Sequence, residues 1–157
     1  MRMKTFKDYN FSHIGFPDLL SQAGMLSLNY IGEHKTIVWY GGCGTEKNHG
    51  MVTLGIMACH RYYKVKFFNV SQLVLLLKKA HYDGSLEKTL AMFRYQDLFL
   101  LDELGYIPWI WKALVMTTNL PFSECGKMFT NDQLGAAMID RIVHYGHLIM
   151  TGDKDWR

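Results

Sequence analysis

The segment Trp39–Gly50 (WYGGCGTEKNHG) carries residue types and spacings that suit phosphate binding. Phosphate-binding loops follow the pattern G-x-x-x-x-G-K-[ST], in which backbone N–H groups and the next helix N-terminus cradle the phosphates. Gly41 and Lys47 stand at the required spacing, whereas Glu46 occupies the second glycine position and Asn48 that of the Ser or Thr. The loop alone could equally be a glycine-rich turn between a strand and a helix. The candidate phosphate-binding residues are Gly41, Gly42, Cys43, Gly44, Thr45, Lys47 and Asn48.

Polar side chains follow two later apolar runs, at the points where strands are predicted to end. Asp102 and Glu103 follow LFLL, and Asn119 follows LVMTT. In NTPases a strand-end acid holds Mg²⁺ and a second polar residue activates the attacking water. We therefore expect Asp102 to hold Mg²⁺ through a water molecule, and Glu103 to orient and deprotonate the attacking water. Asn48 would offer its amide oxygen to the metal, and Asn119 would contact the γ-phosphate or the water. Each residue alone fits a solvated turn, but their order favours a site for ATP and Mg²⁺.

Glu46 and Asn48 predict a weakened nucleotide site. A left-handed backbone at position 46, if the loop requires it, costs about 1–2 kcal/mol for a residue other than glycine. The carboxylate also repels phosphate, by roughly 3 kcal/mol per unit charge pair at about 5 Å and an effective dielectric near 20. The amide of Asn48 is a poorer magnesium ligand than a compact hydroxyl. We therefore expect weak ATP binding and little or no hydrolysis.

Short apolar runs alternate with helical patterns along the chain, which is typical of an α/β fold with a parallel sheet. Five runs predict strands: Thr36–Tyr40, Lys64–Phe68, Leu98–Leu101, Leu114–Thr118 and His147–Met150. Helical spacing and capping residues predict helices at Pro17–Tyr30, Asn48–Tyr62, Asn69–His81, Ser85–Phe93 and Thr130–Tyr145. The third of these helices is predicted to carry Leu73, Leu76 and Leu77 on one face. Four aromatic residues near the start are expected to pack on the core: Phe6, Tyr9, Phe11 and Phe16.

The connection from Asp102 to Ala113 is short for a crossover between parallel strands. Such a crossover usually needs a dozen or more residues and most often contains a helix. The sequence DELGYIPWIWKA includes Pro108 and leaves no room for a packed helix. We therefore expect the crossover helix between the third and fourth strands to be missing.

Composition places the chain among folded, single-domain proteins. Of its 157 residues, 49% are hydrophobic and 20% charged, and the net charge is +3. This charge is too small to establish a nucleic-acid partner by itself. Three cysteines without framework spacing indicate reduced thiols, and no apolar run is long enough to span a membrane. The prediction is one cytoplasmic domain, in which residues 1–35 pack on a nucleotide-binding core of residues 36–157.

Four stretches of sequence resemble the AAA+ helper ATPases of insertion-sequence transposition, the IstB family, which are related to the DnaC-type helicase loaders. They are KVKFFNVSQLV, LLDELGYIP, TTNLPFSECGKMF and AAMIDRIVHYGHLI, and the likeness extends from about Lys4 to Arg157. The resemblance implies an AAA+ core with strand order 5-1-4-3-2, in which Lys47 is the Walker A lysine. It also implies non-specific DNA binding, ATP-driven assembly on that DNA, delivery of target DNA to a transposase, and a possible homo-oligomer.

The same resemblance implies roles for the other candidate residues. Asp102 and Glu103 would form Walker B, and Asn119 would be sensor 1. Arg141, in the run IDRI, would be the arginine finger that reaches a neighbouring subunit's nucleotide, although spacing alone fits a surface arginine. Arg157 would be the sensor-2 arginine.

Three alternatives remain open at the level of sequence. A zinc site would use a set that matches no common ligand spacing: Cys43, His49, Cys59 and His60. Six basic residues would form either a DNA-binding surface or only a solubilising one: Arg61, Lys64, Lys66, Lys78, Lys79 and Lys88. The chain would otherwise be a non-catalytic remnant, or a DNA or protein interaction module of the same fold.

Overall fold

A computed structural model describes residues 6, 9–42, 44, 46–102, 113–119 and 146–151 of the chain. The strands are β1 Ile14–Gly15, β2 Thr36–Gly41, β3 Val65–Asn69, β4 Leu98–Asp102, β5 Ala113–Thr118 and β6 Gly146–Thr151. The helices are α1 Gln22–Ser27, α2 Asn29–Gly32, α3 Lys47–His60, α4 Val70–Tyr82 and α5 Leu86–Arg94. Within these ranges, no helix has the length and apolar character needed to cross a bilayer.

The strands form one mostly parallel sheet in the order β1-β6-β2-β5-β4-β3. When the parallel strands β2 to β6 are numbered from one, their order is 5-1-4-3-2, as predicted. The described part of the sheet has six strands rather than five, because β1 adds at the edge. Ile14 and Gly15 pair antiparallel with Thr151 and Met150 of β6. A strand of two residues is too short to show an alternating pattern in the sequence, so β1 was not predicted.

Both faces of the sheet are covered by helices, which explains why its inner strands are continuous apolar runs. Side chains of β2 alternate between the faces, so that Ile37 and Trp39 belong to one buried cluster and Val38 to the other. The first cluster contains α3 residues Met51, Leu54 and Ala58. The second contains residues of α4 and α5: Val70, Leu73 and Phe93. The sheet is therefore the middle layer of an α/β sandwich.

Close packing of α3 on the sheet depends on a glycine. A Cβ added at Gly50 would lie 2.7 Å from Cη2 of Trp39, which is closer than carbon atoms approach without repulsion. Trp39 is fully buried in the central strand β2. Gly50 therefore lets the helix that follows the phosphate-binding loop lie directly on the strand that precedes it.

The predicted helix Pro17–Tyr30 is wrong at its beginning and in its middle. The chain turns at Pro17, and α1 begins only at Gln22, after Ser21 caps it by accepting a hydrogen bond from the N–H of Gly24 at 3.1 Å. Leu28 then takes a left-handed conformation, with φ of 62°, and separates α1 from α2. Leu28 is only 1% exposed, so its apolar contacts offset the strain of that backbone.

The remaining helices in the described ranges lie within two residues of their predicted bounds. On α4, where Leu73, Leu76 and Leu77 are predicted to share one face, Leu73 is buried and Leu77 packs on the core, whereas Leu76 is 38% exposed. The buried direction of α4 is set by Val70, Leu73 and Ala80, and Leu76 lies to one side of it. The four aromatic residues near the start pack on the core as predicted. The predicted helix Thr130–Tyr145 and the short crossover at residues 103–112 lie outside the described residues.

The amino edge of the sheet carries a buried histidine beside two charged residues. His147 of β6 is 9% exposed and pairs with Ile37 of β2. Just before β2, Nζ of Lys35 forms an ion pair with Glu33 at 2.6 Å. Burial lowers the pKa of the His147 imidazole, the Lys35 charge lowers it further, and Glu33 opposes both. The folded state therefore favours the neutral imidazole.

Candidate nucleotide-binding site

The candidate residues meet at the carboxyl edge of the sheet, because the strands that precede them run parallel. Tyr40 of β2 pairs with Thr118 of β5 and with Met150 of β6. Leu101 of β4 pairs with Met116 of β5. The segments that follow β2, β4 and β5 therefore begin side by side, which is where open α/β sheets bind ligands.

Gly41 and Gly44 of the loop are required to be glycine for different physical reasons. At Gly41 a Cβ would lie 2.1 Å from the carbonyl oxygen of Thr151, so the close approach of β6 requires glycine there. At Gly44 no atom lies near the Cβ position, but φ is 81°, which glycine adopts without strain. Gly41 thus serves sheet packing, and Gly44 serves the path of the loop. Cys43 and Thr45 lie outside the described residues.

Glu46 has a left-handed backbone, which is the condition under which a strain cost was predicted at this position. Its φ is 56° and its ψ is 16°, and it is the residue immediately before α3. Its side chain forms no capping hydrogen bond and is exposed. A residue other than glycine in this conformation costs about 1–2 kcal/mol. The consensus glycine would relieve that strain.

Lys47 is folded back into the loop that precedes it. The residue is 7% exposed, and its Nζ donates hydrogen bonds to the carbonyl oxygens of Gly41, at 2.7 Å, and Gly42. A buried ammonium is stable only when its donors find acceptors, and these carbonyls supply them. The positive charge is therefore held inside the loop, where an incoming phosphate would lie.

Asn48 and Asp102 join the loop to the acidic strand end. Nδ2 of Asn48 donates to Oδ2 of Asp102 at 2.9 Å. The other oxygen, Oδ1, accepts from the hydroxyl of Thr117 at 2.7 Å. With the amide nitrogen of Asn48 committed to Asp102, its amide oxygen is the atom able to bind a cation. An amide oxygen and a carboxylate are the hard oxygen ligands that Mg²⁺ prefers, with phosphates and waters completing its shell, so these residues fit magnesium.

The aromatic segment near the start of the chain contacts the first turn of α3. The rings of Tyr9 and His49 lie 5.0 Å apart at 79°, and Tyr9 also contacts Trp39 edge to face at 6.2 Å. Burial raises the pKa of the Tyr9 hydroxyl, and the negative charge of Glu46 raises it further.

The structure brings together seven of the predicted site residues: Gly41, Gly42, Gly44, Lys47, Asn48, Asp102 and Asn119. Asn119 directly follows β5 and is exposed. Five others lie outside the described residues, and their roles stay predictions: Cys43, Thr45, Glu103, Arg141 and Arg157. Sequence reasoning missed Thr117, whose hydroxyl donates to Asp102. Thr117 stands in the quoted motif TTN, but only the strand register shows which threonine faces Asp102.

The zinc hypothesis finds no cluster in the part of the chain that the structure describes. No three side chains of His, Cys, Asp or Glu there lie close enough to share a metal ion. Cys59 is an exposed free thiol near the end of α3. His49 lies in the first turn of the same helix, roughly 15 Å away at 1.5 Å per residue.

A parallel sheet with strand order 5-1-4-3-2, a loop that holds a buried lysine, and a helix that begins at that lysine define a P-loop fold of the AAA+ type. Solved structures of this class have the same fold. The DnaC helicase loader matches with a TM-score of 0.66 and 18% identity, over 82% of this chain and 84% of the loader. Replication initiator DnaA, bound to AMPPCP and single-stranded DNA, matches with a TM-score of 0.64 and 16% identity, over 96% of this chain and 50% of DnaA.

The family is shown by sequence. The family model of the IstB-like ATP binding protein matches residues 1–113 and 111–157, and the chain belongs to this family. It is 26% identical to "Insertion sequence IS5376 putative ATP-binding protein" of Geobacillus stearothermophilus, over 98% of this chain and 68% of the relative. It is 23% identical to the corresponding IS21 protein of Pseudomonas aeruginosa, over 99% of this chain and 64% of the relative. The chain thus spans about two thirds of the length of these relatives.

Proposed function

We propose that this chain binds Mg-ATP between the β2–α3 loop and Asp102, and that it acts as a helper ATPase of insertion-sequence transposition. The observation that carries the proposal is the pair of polar contacts at the carboxyl edge of the sheet. Lys47 places a buried positive charge inside the loop, and Asn48 joins the loop to Asp102. The names of the relatives, which are ATP-binding proteins of insertion sequences, support the biological context.

Each described residue has a defined part in this proposal. The ammonium of Lys47 exchanges the carbonyls of Gly41 and Gly42 for oxygens of the β- and γ-phosphates. Asp102 and the amide oxygen of Asn48 hold the magnesium ion, which neutralises charge on the phosphates when it is bound. Asn119 contacts the γ-phosphate or the attacking water, which Glu103 orients. Arg141 and Arg157 complete the site of a neighbouring copy and of this copy, respectively.

We further propose that binding is weak and hydrolysis slow. Glu46 has a left-handed backbone and carries a negative charge within the proposed phosphate-binding motif. In the consensus loop one Ser or Thr hydroxyl would both contact the acid and bind the cation. Asn48 uses its amide nitrogen for Asp102 and its amide oxygen for the cation. Both departures lie within the phosphate-binding motif, so the proposal predicts that changing these two residues restores activity.

The test is ATP binding and turnover by the purified chain. Isothermal titration calorimetry with Mg-ATP should give weak binding that Lys47→Ala abolishes, whereas Lys88→Ala, which removes an exposed charge on α5, should leave it unchanged. Turnover should rise in the double variant Glu46→Gly/Asn48→Thr. Rapid turnover by the natural chain would show that the site is not impaired. Binding that survives Lys47→Ala would place the nucleotide elsewhere.

The partners proposed for this activity are DNA and a transposase, with assembly into a homo-oligomer. Six exposed basic residues, at the end of α3, on or beside β3, and on α4 and α5, could contact phosphates: Arg61, Lys64, Lys66, Lys78, Lys79 and Lys88. If they do, the logarithm of the DNA affinity should fall linearly with the logarithm of salt concentration. A flat salt response would leave these residues as solubilising surface.

A second candidate function is a non-catalytic interaction module of the same fold. It is favoured by one observation, the left-handed Glu46 at a glycine position. One measurement, the effect of ATP on binding affinity, distinguishes the two candidate functions. A module binds DNA or a transposase equally well with and without ATP, whereas a helper ATPase binds DNA more tightly when ATP is present.

A further inference from the structure

Thr117 is the residue at this edge of the sheet for which the loop motif and the acidic strand end give no role. It is 2% exposed, and its hydroxyl donates to Oδ1 of Asp102. Asn48, which is exposed, donates to Oδ2 of the same carboxylate. The two oxygens of Asp102 thus receive donors from two different elements, strand β5 and helix α3. This arrangement restrains the carboxylate on both sides.

The restraint matters because the terminal torsion of an Asp side chain is broad and soft. A carboxylate without fixed donors presents its lone pairs in many directions. Thr117 is β-branched, which stiffens its χ1, and it is buried within β5. It therefore ties the orientation of Asp102 to the rigid sheet, in the way that outer hydrogen-bond partners orient metal ligands.

We propose that Thr117 is a positioning residue of the nucleotide site, and that its hydroxyl sets the magnesium dependence of nucleotide binding by orienting Asp102 toward Asn48. The inference rests on the proposed function. It adds Thr117, to which no motif assigns a role, and it makes Asn48 and Asp102 act together in binding the cation. Thr117 holds Oδ1 of Asp102, and Oδ2 accepts from the amide nitrogen of Asn48, so the amide oxygen is the atom that would bind the cation.

The experiment compares ATP affinity with excess Mg²⁺ and with EDTA, for the natural chain and for variants at position 117. The ratio of the two dissociation constants measures magnesium dependence. Thr117→Val removes the hydroxyl and keeps the shape, and it should reduce that ratio by about tenfold, as loss of an outer partner does at metal sites. Thr117→Ser keeps the hydroxyl and should retain the ratio.

A matched control is available on α5. Thr89 is 7% exposed, and its hydroxyl donates to the carbonyl oxygen of Ser85, so Thr89→Val removes a comparable buried hydrogen bond away from the site. This variant should leave the ratio unchanged. A purely structural role for Thr117 would weaken binding equally with Mg²⁺ and with EDTA, and that result would overturn the proposal.

Two further outcomes are decisive. If Thr117→Val does not fold, as judged by circular dichroism, Thr117→Cys replaces the hydroxyl with a weak donor and should still lower the ratio relative to Thr117→Ser. Equal ratios for Cys and Ser would overturn the inference while the proposed function stands. Absence of nucleotide binding by the natural chain in both conditions would overturn the proposed function, and this inference with it.

Discussion

Replacing Glu46 tests whether the loop is impaired by charge, by backbone strain, or by both. The substitution Glu46→Gln removes the charge and keeps a side chain in the left-handed conformation. Glu46→Gly removes both. Because Glu46→Gln keeps the left-handed strain and Glu46→Gly relieves it, the pair separates the effect of the charge from the effects of the backbone.

The expected magnitudes follow from the exposure and the backbone of Glu46. An exposed carboxylate is screened by water, so a phosphate charge at about 5 Å is repelled by only about 0.8 kcal/mol. Two such charges give roughly 1.6 kcal/mol, or about tenfold in Kd. Relief of strain contributes about 1–2 kcal/mol to stability, and the added backbone entropy of glycine offsets about 0.5–1 kcal/mol of it.

We therefore expect Glu46→Gln to bind Mg-ATP about tenfold more tightly at low salt, with no gain in the free energy of unfolding. Glu46→Gly should bind at least as tightly, with a melting temperature that is unchanged or raised by a few degrees. Calorimetric titration and thermal unfolding measure the two effects separately. The gain in affinity should shrink as salt screens the charge. An affinity for Glu46→Gln equal to that of the natural chain at low salt would refute the electrostatic argument.

Three other predictions concern the fold. Gly50→Ala should destabilise the protein by about 1–3 kcal/mol in a thermal scan, because its Cβ would collide with Trp39. Gly32→Ala is the control: no atom lies near its Cβ position, so it should be neutral or stabilising in the same scan. Tyr62 follows the end of α3, is 95% exposed and has a left-handed backbone with φ of 65°. Glycine relieves the strain of that backbone, so Tyr62→Gly should raise stability by up to about 1 kcal/mol. An equal gain in Tyr62→Ala would contradict this explanation. Because the pKa of His147 is lowered in the folded state, the unfolded chain binds more protons at this position. The stability contributed by the neutral imidazole is therefore complete above about pH 6.5 and is lost as pH falls through the folded pKa. His147→Gln should make the melting temperature vary less between about pH 5 and pH 7.

Sequence reasoning predicted the parallel sheet and the meeting of Lys47, Asn48 and Asp102, because both follow from simple geometry. Apolar runs identify the strands, and parallel strands bring their carboxyl ends to one edge. No tertiary detail is needed for that inference. The same reasoning gives the strand order only through the resemblance to a family, since neither pattern nor spacing specifies which strands are neighbours.

The features that sequence reasoning missed depend on tertiary contacts. Leu28 breaks the predicted first helix although leucine favours helices, because burial of its side chain outweighs the strain of its backbone. Leu76 has the helical spacing of a core residue, but the direction of the apolar face is set by neighbours on α4. Thr117 and Thr118 are chemically identical and adjacent, and only strand register decides which hydroxyl reaches Asp102.

The position of β2 in the sheet has a consequence for the order in which the chain folds. Thr36 pairs with Leu114 on one side and with Gly146 on the other, so both neighbours of this strand come from much later in the chain. The β3–β4 pair, with α4 and α5 between its strands, is assembled from consecutive segments. During synthesis that unit is complete while β2 still has two open edges. We therefore expect the phosphate-binding loop to be ordered among the last parts of the molecule, after β6 has left the ribosome.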